Sequence, residues 1–162
     1  MKDVREAWKV FWDRIKPLQP KLKTVLIQLP PSFQANDVNK ERVKKMKAYL
    51  PTSVNIVFEF RNISWFNDNI YDIFRKNNWC VGGTYIKKKE GSSWMGTMPA
   101  GLLLPPKTSN LTYLRIHGGR GYRGELSETE LRKLKKEISA KKAKENFVMF
   151  NNTFFDNRKK SC

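Results

Sequence analysis

Two hydrophobic periods alternate along this chain. In residues 3–16, Val4, Ala7, Trp8, Phe11, Trp12 and Ile15 recur at helical spacing and form one broad apolar face. Pro17 and Pro20 end that helix. Its two tryptophans suit packing on a sheet, with a partner site as the alternative. Residues 22–29 then read as a strand, Pro30 to Phe33 as a loop, and Asn36 or Asp37 as the cap of a basic helix reaching Tyr49. Residues 54–61 form a second strand. Asn67 caps a helix carrying Ile70, Tyr71, Ile73 and Phe74, and Trp79 to Thr84 is a third strand. Residues 86–110 are rich in Lys, Gly, Ser and Pro and read as a long loop, with Leu102 to Leu104 able to pack on the core. Residues 111–117 are a fourth strand. Ser127 and Glu130 have the spacing of a capping box that opens a helix to about Lys144, and residues 147–152 are the last strand.

Strand, polar tip, loop, helix, strand is the grammar of parallel α/β folds, whose sites lie at the carboxyl ends of the strands. The tips here are conspicuous: Gln28, then Glu59 and Arg61, then Arg115 and His117, then Asn151 and Asn152. The expected fold is α/β and partial TIM-barrel-like, with about five parallel βα units. A closed barrel takes about 250 residues, and 162 residues supply about five-eighths of one. Residues 1–162 are accordingly expected to be a single, incomplete barrel domain.

Composition narrows the classes. No stretch approaches the ~20 apolar residues of a membrane span, and the charged start, Met1 to Glu6, lacks the apolar segment of a secretory signal. Cys80 and Cys162 form no redox or metal motif; Cys80 lies in an apolar run and reads as a buried thiol. These features favour a cytoplasmic protein with no membrane partner. The net charge of +17 invites non-specific nucleic-acid binding through Lys40 to Lys47, Lys87 to Lys89 and Lys133 to Lys144. The alternative is a set of solvated helix faces, the usual fate of such lysines.

Side chains two apart on a strand share a face. Glu59 and Arg61 therefore point one way, as do Arg115 and His117. If these faces look into a barrel, an upper layer holds Gln28, Glu59, Arg61, Arg115, His117 and one of Asn151 and Asn152. In one reading Arg61 and Arg115 hold an anionic group while Glu59 and His117 are the catalytic pair that exchanges protons. In the other, Glu59, Arg61 and Arg115 are a buried ion-pair network. The loop from His117 to Gly124, with Arg120 and Arg123, leads into a capped helix and suits either a phosphate or carboxylate grip or a plain connection. It lacks the ending of a P-loop. A single His without a carboxylate cluster predicts no metal site, and no cofactor or Ser- or Cys-nucleophile motif is present.

At these residues the chain resembles the YecE-like proteins, domain-of-unknown-function family 72. The resemblance rests on Gln28-Leu29-Pro30-Pro31-Ser32-Phe33 and Glu59-Phe60-Arg61-Asn62-Ile63-Ser64-Trp65-Phe66. It continues through Tyr113 to Gly118, Tyr122-Arg123-Gly124 and Asn151-Asn152-Thr153. It implies a TIM-barrel-like fold and no established activity. It also implies a mouth pocket lined by Gln28, Glu59, Arg61, Trp65, Arg115, His117, Tyr122, Asn151 and Asn152. Two departures stand out: Asn62 replaces a usual His, and Leu126 stands where an aromatic is common. Typical members also carry three further βα units upstream, so the chain is expected to lack the N-terminal three units. An open sheet of this kind has two edges, which predicts a dimer or a partner chain that completes the barrel.

The functional expectation is a barrel protein that binds a small phosphorylated or carboxylated ligand at its strand ends, whether or not it is an enzyme. Non-specific nucleic-acid binding is the first alternative. An inactive, truncated paralogue serving as a scaffold is the second.

Overall fold

The computed structural model describes residues 4–87, 97–117 and 126–151. Helix α1 (Arg5–Ile15) leads, followed by strand β1 (Thr24–Leu29), helix α2 (Asp37–Lys45) and strand β2 (Asn55–Phe60). Helix α3 (Asp68–Lys76), strands β3 (Cys80–Val81), β4 (Gly83–Ile86), β5 (Gly101–Leu103) and β6 (Leu111–His117), helix α4 (Glu128–Ala140) and strand β7 (Glu145–Asn151) complete the order. The architecture is mixed α/β, and its strands form no closed barrel among the described residues.

One sheet runs β1-β2-β3 and the other β5-β4-β6-β7. They are two parts of one surface, because β3 and β4 are halves of a single stretch broken at Gly82. Cys80 and Val81 pair with β2, and the Gly82 amide still donates to the Phe58 carbonyl at 2.8 Å. Gly83 to Ile86 then pair with β6. A Cβ on Gly82 would stand 3.3 Å from Val57 Cγ1 and 3.4 Å from the Phe58 carbonyl oxygen. Glycine thus permits the close approach at which the strand changes partners.

All pairings are parallel except β4 with β5. The β5 strand corrects the expectation of an uninterrupted loop over residues 86–110. Three residues are too few to show a period, and Gly101 at φ +89° begins the strand in a conformation open to glycine. Its ladder to Thr84–Ile86 fills the side of β4 that β2 has left. Leu102 and Leu104 pack on the cluster beneath α4, as expected of that apolar triplet.

The parallel strands place the even and odd side chains on opposite faces. Outward, Phe58 and Phe60 pack with Ile70 and Phe74 of α3, while Leu114 and Ile116 pack with Leu134 and Ile138 of α4. Inward, Val57, Cys80 and Tyr113 form a smaller buried cluster flanked by Leu26 and Phe147. The sheet curls enough for residues three strands apart to touch: Asn55 of β2 reaches Glu145 of β7 at 3.5 Å.

The helices start where side chains cap them. Asn36 accepts from the Asn39 amide, Asn67 from the Ile70 amide, and Ser127 and Glu130 make the reciprocal capping box. Helix α4 ends at Ala140 rather than near Lys144, because Lys142 turns to positive φ and the Lys144 amide bonds back to Asn110. Helix α1 has no fully buried residue. Trp8, Trp12 and Ile15 rest on the core, whereas Val10 and Phe11 face outward.

Candidate functional site

The inner face of β1, β2 and β6 carries its polar residues at the carboxyl ends of the strands. Glu59 is the centre. Its side chain is 5% exposed, and its two oxygens receive two different guanidinium groups: Arg61 Nε at 3.4 Å and Arg115 Nη1 at 2.9 Å. Gln28, opposite Glu59 in the β1–β2 register, draws the same two arginines together. Its Oε1 accepts from Arg61 Nη2 at 2.7 Å and from Arg115 Nη1 at 3.0 Å. Gln28 of β1, Glu59 of β2, Arg115 of β6 and Arg61, one residue past the end of β2, thus form one hydrogen-bonded cluster. Two cations share one carboxylate, so the cluster carries a net charge of +1.

His117 lies one inward step above Arg115 and is fully buried. Asn151 stands beside it in the β6–β7 register, with Nδ2 at 3.4 Å from His117 Nδ1. An amide nitrogen can only donate, so in this orientation Asn151 pairs with the tautomer whose Nδ1 is the acceptor. Burial pushes the His117 pKa down to about 4, and the positive charges of Arg115 and Arg61 push the same way. The ring is neutral throughout the physiological range.

Thr84 is a member of this layer that its sequence did not betray. It pairs with Arg115 in the parallel β4–β6 register, so both side chains face inward. It is 3% exposed, and its Oγ1 is buried without a hydrogen-bond partner. Thr84 lies in a run of Gly and β-branched residues that reads as ordinary strand. Only the register with β6 sets it in the same inward row as Arg115. Met149 occupies the next place in the same row and is 40% exposed.

Trp65 and Asn62 lie apart from the cluster. Trp65 is buried on the helix side, stacked on Phe60 at 4.3 Å and Phe33 at 5.4 Å, and its indole N–H donates to the Phe33 carbonyl at 2.6 Å. Asn62 donates to the Pro31 carbonyl and accepts from the Ser64 amide and hydroxyl, so it pins the β1 loop to the turn after β2. Tyr122, Arg123 and Asn152, with Arg120 and the Gly-rich loop, lie outside the described residues. No cluster of three or more His, Cys, Asp or Glu able to hold a metal occurs among the described residues. Cys80 is buried on the inner face, where burial pushes its thiol up to about 12 and keeps it protonated.

A family model described as a protein of unknown function, DUF72, matches residues 1–159. The chain belongs to the DUF72 family. Among solved structures it is similar to a DUF72 family protein from Thermotoga maritima. The two are 26% identical, with a TM-score of 0.74 over 94% of this chain and 60% of that one. A DUF72 family protein from Enterococcus faecalis is 21% identical, with a TM-score of 0.74 over 93% of this chain and 60% of that one; this second likeness speaks to fold alone. The chain therefore spans about three-fifths of the length of these DUF72 structures. No curated protein matches. The YecE-like resemblance carried by the motifs at Gln28, Glu59 and Arg115 is thus a family membership, and DUF72 carries no assigned function.

Proposed function

We propose that this protein binds a small anion at the carboxyl ends of β1, β2, β4 and β6. The observation that supports this reading is the pair of arginines on one carboxylate. Two guanidinium groups converge on one carboxylate in a largely buried setting, where attraction between a cation and an anion is strong. Gln28, Arg61 and Arg115 are the binding groups, with Asn151 orienting His117. Tyr122 and Asn152 join the same mouth by resemblance to the family, and Arg123 joins it as a cation of the Gly-rich sequence that follows His117. Glu59 and His117 serve first as holding groups. Both Glu59 oxygens already receive guanidinium hydrogens, and a neutral His117 offers one ring N–H and one acceptor nitrogen. Whether bound ligand is also transformed is a matter for assay of turnover once a ligand is in hand.

The test is a thermal-shift screen at fixed ionic strength with acetate, sulfate and inorganic phosphate. Binding to the folded state alone raises the melting temperature. The expected outcome is a shift with at least one of these anions that disappears in Arg115→Ala. No shift with any of them would refute the reading.

The curled parallel sheet, with its site at the strand ends, also suits one domain of partial TIM-barrel-like form. Its β1 and β7 edges have no further strand beside them among the described residues, which supports a second copy or another chain as partner. The nucleic-acid alternative draws no such support. Lys40 and Lys44 pair with Asp37 and Glu41 of their own helix, and Arg132 pairs with Glu128.

A further inference from the structure

We infer that Asn62 is a positioning residue of this site: it fixes where Arg61 stands relative to Gln28 without itself touching the ligand. This inference rests on the anion-binding reading above and adds a residue that acts through Arg61.

Two prolines create the need for it. β1 and β2 pair in a constant register, from Thr24 with Asn55 to Leu29 with Phe60. Carried two residues further, that register sets Pro30 opposite Arg61 and Pro31 opposite Asn62. Neither proline has an N–H, so the main chain of β1 cannot donate there. The Asn62 side chain supplies a rung in its place, with Nδ2 donating to the Pro31 carbonyl at 2.8 Å.

The other end of the amide is engaged as well. Asn62 Oδ1 accepts from the Ser64 amide at 3.1 Å and from the Ser64 hydroxyl at 2.7 Å. The same hydroxyl oxygen accepts from the Ala35 amide at 2.9 Å, which makes a second tie to the loop after β1. A carbonyl only accepts and a backbone N–H only donates, so these partners fix which way the Asn62 amide faces. Ile63 ties a third segment to the same turn, its amide donating to Thr97 Oγ1 at 2.8 Å. Asn62 is buried, and these partners belong to the loops and the turn, so it serves the scaffold rather than the ligand.

Arg61 is the residue just before this tie, and Gln28 lies three residues before Pro31. The Arg61 guanidinium has Gln28 Oε1 at 2.7 Å and Glu59 Oε1 at 3.4 Å among its partners. A long side chain holds a set place only when its own backbone is held, and the tips of β1 and β2 are joined just beyond both residues. Apolar packing already brings the two loops together, because Trp65 stacks on both Phe33 and Phe60. That contact has no direction, whereas a fully paired buried amide fixes distance and angle.

The experiment is a double-mutant cycle on the whole chain, read in anion affinity and in melting temperature. Acetate, sulfate and inorganic phosphate are titrated calorimetrically at fixed ionic strength. Asn62→Ser keeps the charge and an oxygen able to cap the Ser64 amide, but it is too short to reach Pro31. It is expected to weaken whichever of these anions the wild type binds by about ten-fold, within the range for coupled neighbours. Arg61→Lys keeps the cation on a flexible stem that lacks the planar fork. In that background Asn62→Ser is expected to cost less than about two-fold in affinity, while lowering the melting temperature as much as it does alone. An equal affinity loss in both backgrounds, or a lower melting temperature with full affinity, would make Asn62 a brace of the loops only. Either result would overturn the inference and leave anion binding standing. Should Asn62→Ser not fold, the cycle is run with Ser64→Ala, which cuts the tie to Ala35. That variant is expected to lose about two- to five-fold in affinity, again only beside the native Arg61; unchanged affinity would overturn the inference. A wild type that binds none of the three anions would remove the anion-binding reading itself.

Discussion

A buried histidine within the field of two arginines has its titration set by its surroundings. Unfolded, His117 takes up a proton near pH 6.5; folded, it does so only near pH 4. Between these values the unfolded chain binds more protons, so stability falls as pH falls. The contribution is complete above pH 6.5 and is lost progressively toward pH 4. The shift corresponds to about 3 kcal/mol over that window. Urea unfolding at pH 7.5 and pH 4.5 is expected to show this loss in the wild type and much less of it in His117→Asn. An equal acid loss in both would place the proton uptake elsewhere. Asn151 suits a neutral ring as one neighbour, because an amide adds no charge.

At the scale of elements, the strand that changes partners is the least tolerant place in the fold. A Cβ on Gly83 would lie 2.8 Å from Leu104 Cδ1 and 2.9 Å from the Leu103 carbonyl oxygen. The side chain could yield, but the carbonyl belongs to the backbone of β5. Gly83→Ala is therefore expected to destabilise the protein by about 1–3 kcal/mol and to loosen β5 from β4, read by denaturant melts and by amide exchange at Tyr85 and Leu103. A neutral outcome would mean that β5 shifts without penalty. This element also marks what the chain's own pattern can reveal. The apolar runs at β1, β2 and β6 are long enough to read, and Asn36, Asn67 and Ser127 announce their helices by chemistry alone. Strand alternation alone sorts Glu59, Arg61, Arg115 and His117 onto inner faces, and the motifs around them were legible as a family. Long-range pairing is different. The antiparallel β5, the burial of Trp65 away from the mouth and the place of Thr84 beside Arg115 depend on which strand neighbours which, and no local period encodes that.

The whole molecule is unevenly covered. On the outer side of β7, Ile116, Leu134, Ile138, Val148 and Phe150 line an apolar groove of about 360 Å³, and Phe150 is 51% exposed. Among the described residues β7 pairs only with β6, and β1 only with β2. A surface of this kind favours association. Sedimentation across a range of concentrations is expected to show self-association that Phe150→Lys reduces by at least about ten-fold, since a charge on that face must be desolvated in any contact. A strictly monomeric wild type at high concentration would leave the partner role to another chain. The centre of the candidate site, Glu59, Arg115 and His117, stands on β2 and β6 inside the sheet, whereas Gln28 on β1 and Asn151 on β7 stand on its edges.

The contact between Gln28 and Arg115 spans 87 positions of the chain, and that between Asn55 and Glu145 spans 90. Contacts this remote make folding slow, because a long loop must close before they repay the lost freedom. During synthesis, β1, β2 and α3 can emerge and pack while Glu59 has only Arg61 for company. The second guanidinium arrives with β6. The Gln28–Glu59–Arg61–Arg115 cluster is thus among the last features of the molecule to come into being, and a nascent chain halted short of Arg115 would own a core but only half of that cluster.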